Sequence, residues 1–196
     1  PTEGGAASDA VRALELDAGA LSAFLPNAAG MGLINSLLES DELYLYGVGG
    51  ATNQATQVRT TRVVKISKAT MAVVAAVEFK DLQRVSTIAS DGTHLYLGTA
   101  GAQMAKLDKA TLSRAATSSI ALAGVTMTAD GTFAYVTSAG NLNNDLRAKI
   151  TKVRLADLGT EHTLTLDAYG VVTSCADAAN VYLGLVTAAG QVVKVK

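Results

Sequence analysis

Asp91-Gly92-Thr93-His94-Leu95-Tyr96-Leu97-Gly98 decides the fold, because variants of this stretch occur at three other places in the chain. Each copy begins with an Asp-led turn, continues as an aliphatic strand that contains Tyr, and leads into a strand that carries one Lys. The other copies are Asp41–Gly47, Asp130–Val136 and Asp177–Gly184. The leading aspartates follow one another at intervals of 50, 39 and 47 residues. Such self-similarity predicts an array in which each unit buries its apolar face against a neighbour.

Four short strands are predicted in each copy. In the second copy they are Arg84–Ser90, His94–Thr99, Gln103–Leu107 and Arg114–Leu122. The first and second strands are joined by the Asp-led turn, where Asp-Gly pairs suit a tight hairpin. A second turn is predicted after the third strand, at Ser67–Thr70, Asp108–Thr111 and Leu155–Leu158.

Two residue series recur in register with these turns. The tyrosines Tyr44, Tyr96, Tyr135 and Tyr182 and the lysines Lys65, Lys106, Lys152 and Lys194 occur once per copy. A residue repeated in every unit serves packing, since a catalytic group would occur once. We therefore expect both series at the seams between neighbouring units, and we expect the repeated aspartates to form turns.

Four antiparallel strands per unit, repeated at about 40–50 residues, are typical of a β-propeller blade. The sequence "SDGTHLYLGT…AKLDKATL" resembles repeats of the YVTN, quinoprotein and lactonase-like propellers, and the resemblance extends over about residues 31–196. This resemblance implies the fold and no particular activity. The prediction is an all-β propeller of four four-stranded blades, with blade boundaries at 31–81, 82–122, 123–168 and 169–196.

The phase of the repeat predicts how the last blade is completed. Gln191–Lys196 matches a third strand, and Val11–Leu16 precedes the first copy where a fourth strand belongs. We expect residues 1–30 to supply a closing strand and an entry loop, so that 1–196 forms one ring-closed domain without an exposed edge. Two alternatives are chains that exchange end strands into a larger ring, and a chain that is one piece of a longer array. The small residues of the inner strands favour the single ring.

Composition excludes several partner classes. With 16 Lys and Arg against 17 Asp and Glu, spread without blocks, no basic stripe exists for nucleic acid. No apolar run approaches the length of a membrane span. Neither a signal peptide nor a disulfide pair is present, and Cys175 is the only cysteine. The compartment stays open, with a virion, appendage or other extracellular surface fitting a processed N-terminus.

The longest predicted connections carry the candidate binding residues. Gly47–Thr61, Thr137–Lys149 and Asp17–Gly30 are expected to emerge on the same face of the propeller. Amide, carboxylate and guanidinium groups there suit hydrogen bonds to peptide backbone, to a partner's loop or to sugar hydroxyls. The candidates are Asn53, Gln54, Arg59, Asn141, Asn143, Asn144, Asp145 and Arg147. The competing interpretation is that these loops are solvated turns.

No motif in the sequence indicates catalysis or a cofactor. Gly47–Ala51 lacks the Lys-Ser/Thr ending of a phosphate loop and is expected to be a flexible turn. His94 and His162 lie at different repeat positions, which makes a poor metal site. Cys175, on a predicted inner strand, is expected to be a buried, inert thiol.

These observations favour a non-enzymatic binding or assembly module, with no cofactor and no metal. The expected partner is a protein, which includes self-association into a larger assembly, and a glycan is the second class that the loops fit. The alternative is a lactonase- or hydrolase-like propeller enzyme with a metal in its channel. A tightly bound stoichiometric divalent ion would favour that enzyme.

Overall fold

The computed structural model describes residues 11–15, 20–25, 34–52, 59–82, 84–120, 126–138, 147–177, 180–187 and 191–195. These residues form β-strands and turns, and no helix that could span a membrane occurs among them. The chain divides into two compact units, Pro1–Lys80 and Asp81–Lys196. Each unit is described by itself below. Repeats 1 to 4 denote the four copies that begin at Asp41, Asp91, Asp130 and Asp177, each with the strand that precedes its aspartate.

The first unit contains a two-stranded and a four-stranded sheet. Strands β1 (Val11–Glu15) and β2 (Ala20–Leu25) pair as an antiparallel hairpin. Repeat 1 forms the second sheet, in which neighbouring strands are consecutive in the chain and antiparallel. Its strands are β3 (Ile34–Ser40), β4 (Tyr44–Thr52), β5 (Arg59–Ser67) and β6 (Val73–Phe79).

The second unit contains three antiparallel sheets built the same way. Repeat 2 comprises β7 (Val85–Ser90), β8 (His94–Thr99), β9 (Gln103–Asp108) and β10 (Arg114–Ser119). Repeat 3 comprises β11 (Thr126–Ala129), β12 (Phe133–Ser138), β13 (Lys149–Arg154) and β14 (Thr160–Thr165). Repeat 4 comprises β15 (Gly170–Ala176), β16 (Val181–Val186) and β17 (Gln191–Val195).

The inner strands of the second unit lie side by side, with β11 in contact with β7 and β15. Small polar side chains meet there: Thr126 Oγ1 lies 2.9 Å from Thr137 Oγ1 and 3.0 Å from Ser174 Oγ. Apolar side chains pack between the repeats, in one cluster between repeats 2 and 3 and another between repeats 3 and 4. Repeats 2 and 3, and repeats 3 and 4, thus bury apolar side chains against each other, as the repeat pattern predicts.

In repeats 1 to 3, the second turn uses a left-handed residue that is not glycine. Leu112 has φ +57° and donates its amide to the Asp108 carbonyl at 2.8 Å, and Leu158 has φ +60° and donates to Arg154. Met71 occupies the same place in repeat 1, with φ +50°. All three side chains are buried, and that burial offsets a backbone cost of about 1–2 kcal/mol. The turn of repeat 3 therefore begins at Arg154, one residue before the predicted start at Leu155.

Strand bounds in repeat 2 confirm the sequence prediction to within one residue, except that β10 ends at Ser119 and not at Leu122. Two local predictions were wrong. Gly47–Ala51 is not a flexible turn, because it lies inside β4 and pairs with β5. The entry segment 17–30 is not a continuous loop, because it contains β2.

The completion of the last blade by residues 1–30 stays a prediction, because those residues and repeat 4 belong to different units. The described sheet of repeat 4 has three strands, with β17 at its edge, and β1 pairs with β2. Val11–Glu15 has alternating aliphatic residues that suit a strand, and Ala20–Leu25, absent from the predicted strands, offers it a partner a few residues away. A nearby partner costs less loop-closure entropy than a distant one.

Candidate functional site

A tyrosine bonded to the turn aspartate recurs in all four repeats. The hydroxyls of Tyr46, Tyr96, Tyr135 and Tyr182 donate to Oδ2 of the aspartate five residues earlier, at 2.8, 2.5, 2.9 and 3.0 Å. In repeats 1 to 3, Oδ1 of that aspartate accepts from the amides two and three residues on. The first member of the tyrosine series is therefore Tyr46, and the assignment of Tyr44 was wrong by two residues along the same strand face.

The aspartate is held as an anion by these bonds. Burial by itself would raise the pKa of Asp91, but hydrogen bonds from Tyr96 and from the Thr93 and His94 amides lower it to about 2. Burial and the bond to Asp130 raise the pKa of Tyr135 to about 12. Both groups keep one protonation state near neutral pH, which fits a structural clamp and not an acid–base catalyst.

Each of these tyrosines lies directly across from the lysine of the next strand. The pairs are Tyr46 with Lys65, Tyr96 with Lys106, Tyr135 with Lys152 and Tyr182 with Lys194. Because residues opposite each other share one face of a sheet, the Tyr, the Lys and the residue two before the Lys form one surface. We call this surface the Tyr–Lys face of a repeat.

The seam between repeats 2 and 3 shows what covers a Tyr–Lys face. Lys106 Nζ donates to the carbonyl of Leu155, in the second turn of repeat 3, at 2.9 Å. Leu155 and Leu158 from that turn belong to the same buried cluster as Tyr96 and Met104. The predicted role of Lys106 at a seam is confirmed. A Tyr–Lys face is therefore built to receive the sheet and the second turn of the repeat that follows.

The corresponding place on repeat 3 is a pocket. Its volume is about 220 Å³, and its lining is Tyr135, Ile150, Lys152, His162, Leu164 and Val195. Lys152 Nζ lies 3.8 Å from the centroid of the Phe133 ring, whereas Lys106 contacts a carbonyl. The volume is below the 300 Å³ or so that marks the small end of drug-sized ligand sites, and it suits one or two apolar side chains.

The Tyr–Lys face of repeat 4 is exposed. Val192 stands two residues before Lys194, where repeats 2 and 3 have Met104 and Ile150. Met104 and Ile150 are 0% and 4% exposed, whereas Val192 is 77% exposed. Cys175 lies across from Tyr182 on this face and is exposed, so the prediction of a buried thiol was wrong.

Most of the binding residues predicted from the loops lie outside the described residues. These are Asn53, Gln54, Asn141, Asn143, Asn144 and Asp145, and Arg59 is described only as the first residue of β5. Arg147 donates to Asp167 Oδ1 at 2.9 Å, and its guanidinium lies 4.4 Å from the Tyr169 ring centroid. The loop site stays a prediction.

The two histidines lie in different repeats and make different contacts. His94 begins β8, and its Nδ1 is 2.7 Å from Thr93 Oγ1. His162 lies on the outer strand β14, as predicted, and lines the pocket. Within the described ranges, no three His, Cys, Asp or Glu side chains come together as metal ligands.

No protein-family model matches the chain, and no curated protein sequence is significantly similar to it. Solved structures do match. Hydrazine synthase of Kuenenia stuttgartiensis gives a TM-score of 0.61 at 16% identity, over 80% of this chain and 43% of that chain. BamB of Moraxella catarrhalis gives 0.56 at 13%, over 76% and 42%, and the WD40 repeats of RRP9 give 0.56 at 13%, over 76% and 47%.

These structures are β-propellers with four-stranded antiparallel sheets. This chain has the β-propeller fold. At this level of identity the likeness concerns the fold alone. The propeller repeats of this chain span less than half the length of each of these three structures.

Sequence reasoning missed two features of this propeller. The Tyr–Asp bond had a signal, a constant spacing of five residues from Asp to Tyr in all four repeats. The exposure of Val192 had no sequence signal, because Val, Met and Ile at that position are all typical of core residues. Only the arrangement of the sheets distinguishes the uncovered face from the covered ones.

Proposed function

We propose that this propeller is a non-enzymatic assembly module that associates through the Tyr–Lys face of repeat 4. The observation that carries the proposal is the exposure of Val192, set against the burial of Met104 and Ile150 at the same position. Apolar side chains on a flat sheet face lose free energy when another sheet covers them, at about 25 cal/mol per Å². An uncovered apolar face of this kind marks an interaction surface.

The occupant that fits this face is a second copy of the chain. The face is built like those that repeats of this chain cover, with Tyr182 and Lys194 in the same register as Tyr96 and Lys106. Repeat 1 also exposes large apolar side chains, which are Leu38, Leu43, Val73 and Val74. Head-to-tail contact between repeat 4 and repeat 1 is therefore the proposed interface.

Cys175 provides a direct test, because it is the only cysteine and lies on the proposed interface. Association should bury the thiol, so its labelling rate by a maleimide should fall as protein concentration rises. In the Val192→Lys variant the introduced charge opposes association, and labelling should stay fast at every concentration. Thr117→Lys, on the exposed side of β10, is the control and should behave like the unmodified protein. A labelling rate that does not depend on concentration in the unmodified protein would contradict the proposal.

A further inference from the structure

We draw no further inference here: the strongest candidate, the exposed apolar edge of repeat 1 at Val73 and Val74 on its outer strand β6, carries nothing, because nothing in the described part of the chain shows what covers it.

Discussion

At the scale of single residues, the molecule is organised by the aspartate of each first turn. One carboxylate oxygen binds two turn amides and the other binds the tyrosine five residues later, so that one side chain fixes a hairpin and a seam residue together. The sequence predicts both residues as structural, and this interpretation agrees with the geometry. The constant spacing of five residues was the only signal that they bind each other, because hydrogen bonds between side chains also depend on strand twist and rotamer.

Replacement of Asp91 by Asn tests this arrangement. The neutral amide leaves the buried Tyr96 hydroxyl and two amides with a weaker acceptor, and stability should fall by about 1–3 kcal/mol. The equivalent Asp177→Asn is the control, since the Asp177–Tyr182 bond is exposed and its loss should cost less than about 1 kcal/mol. Urea unfolding at pH 7 measures both changes. Equal losses at the two sites would contradict the account.

The Asp91→Asn variant also tests how the stability of the protein depends on pH. The folded-state pKa of Asp91 is about 2, below its unfolded value of about 3.9. Its stabilisation is therefore complete above about pH 4 and is lost as the pH falls towards 2. Asp91→Asn should lose less stability between pH 5 and pH 2.5 than the unmodified protein, in the same urea experiment.

At the scale of elements, the local residue pattern predicted the strands but did not predict their irregularities. Aliphatic and β-branched runs between Asp-Gly turns located β8 without error. The bulge between Val85 and Thr87 left no sequence signal, and neither did the left-handed leucines of the second turns. The left-handed conformation normally favours Gly or Asn, so a Leu there is chosen by its burial, which is a tertiary property.

The bulge in β7 makes Gly98 a test of packing between neighbouring strands. A Cβ at position 98 would lie 2.6 Å from Thr87 Cγ2, far closer than van der Waals contact. Gly98→Ala should therefore destabilise the protein by about 1–3 kcal/mol, measured by thermal or urea unfolding.

Two variants show whether the Thr87 methyl group is the cause. Adding Thr87→Ser to Gly98→Ala removes that methyl group and should restore most of the lost stability. Gly92→Ala is the control, because a Cβ at position 92 would meet no other atom within 4 Å and the stability should barely change. If the Ser substitution fails to rescue Gly98→Ala, the close approach is not what makes glycine necessary.

At the scale of the whole molecule, each described Tyr–Lys face in the second unit differs in what covers it. The face of repeat 2 meets the turn of repeat 3, the face of repeat 3 contains a pocket, and the face of repeat 4 is exposed. The repeat pattern predicted the four sheets but not this difference in what covers each face, because the residues on all three faces are alike. Among the described strands, β17 of repeat 4 pairs with β16 alone, and its Val192 is exposed.

The mass of the protein in solution tests the central claim, that the exposed face of repeat 4 is an interface between copies. In analytical ultracentrifugation, the unmodified protein should sediment as an assembly that dissociates to single chains on dilution. Val192→Lys should sediment as a single chain at every concentration, with an unchanged circular dichroism spectrum. Single chains for the unmodified protein at all concentrations, or an assembly that Val192→Lys leaves intact, would contradict the claim.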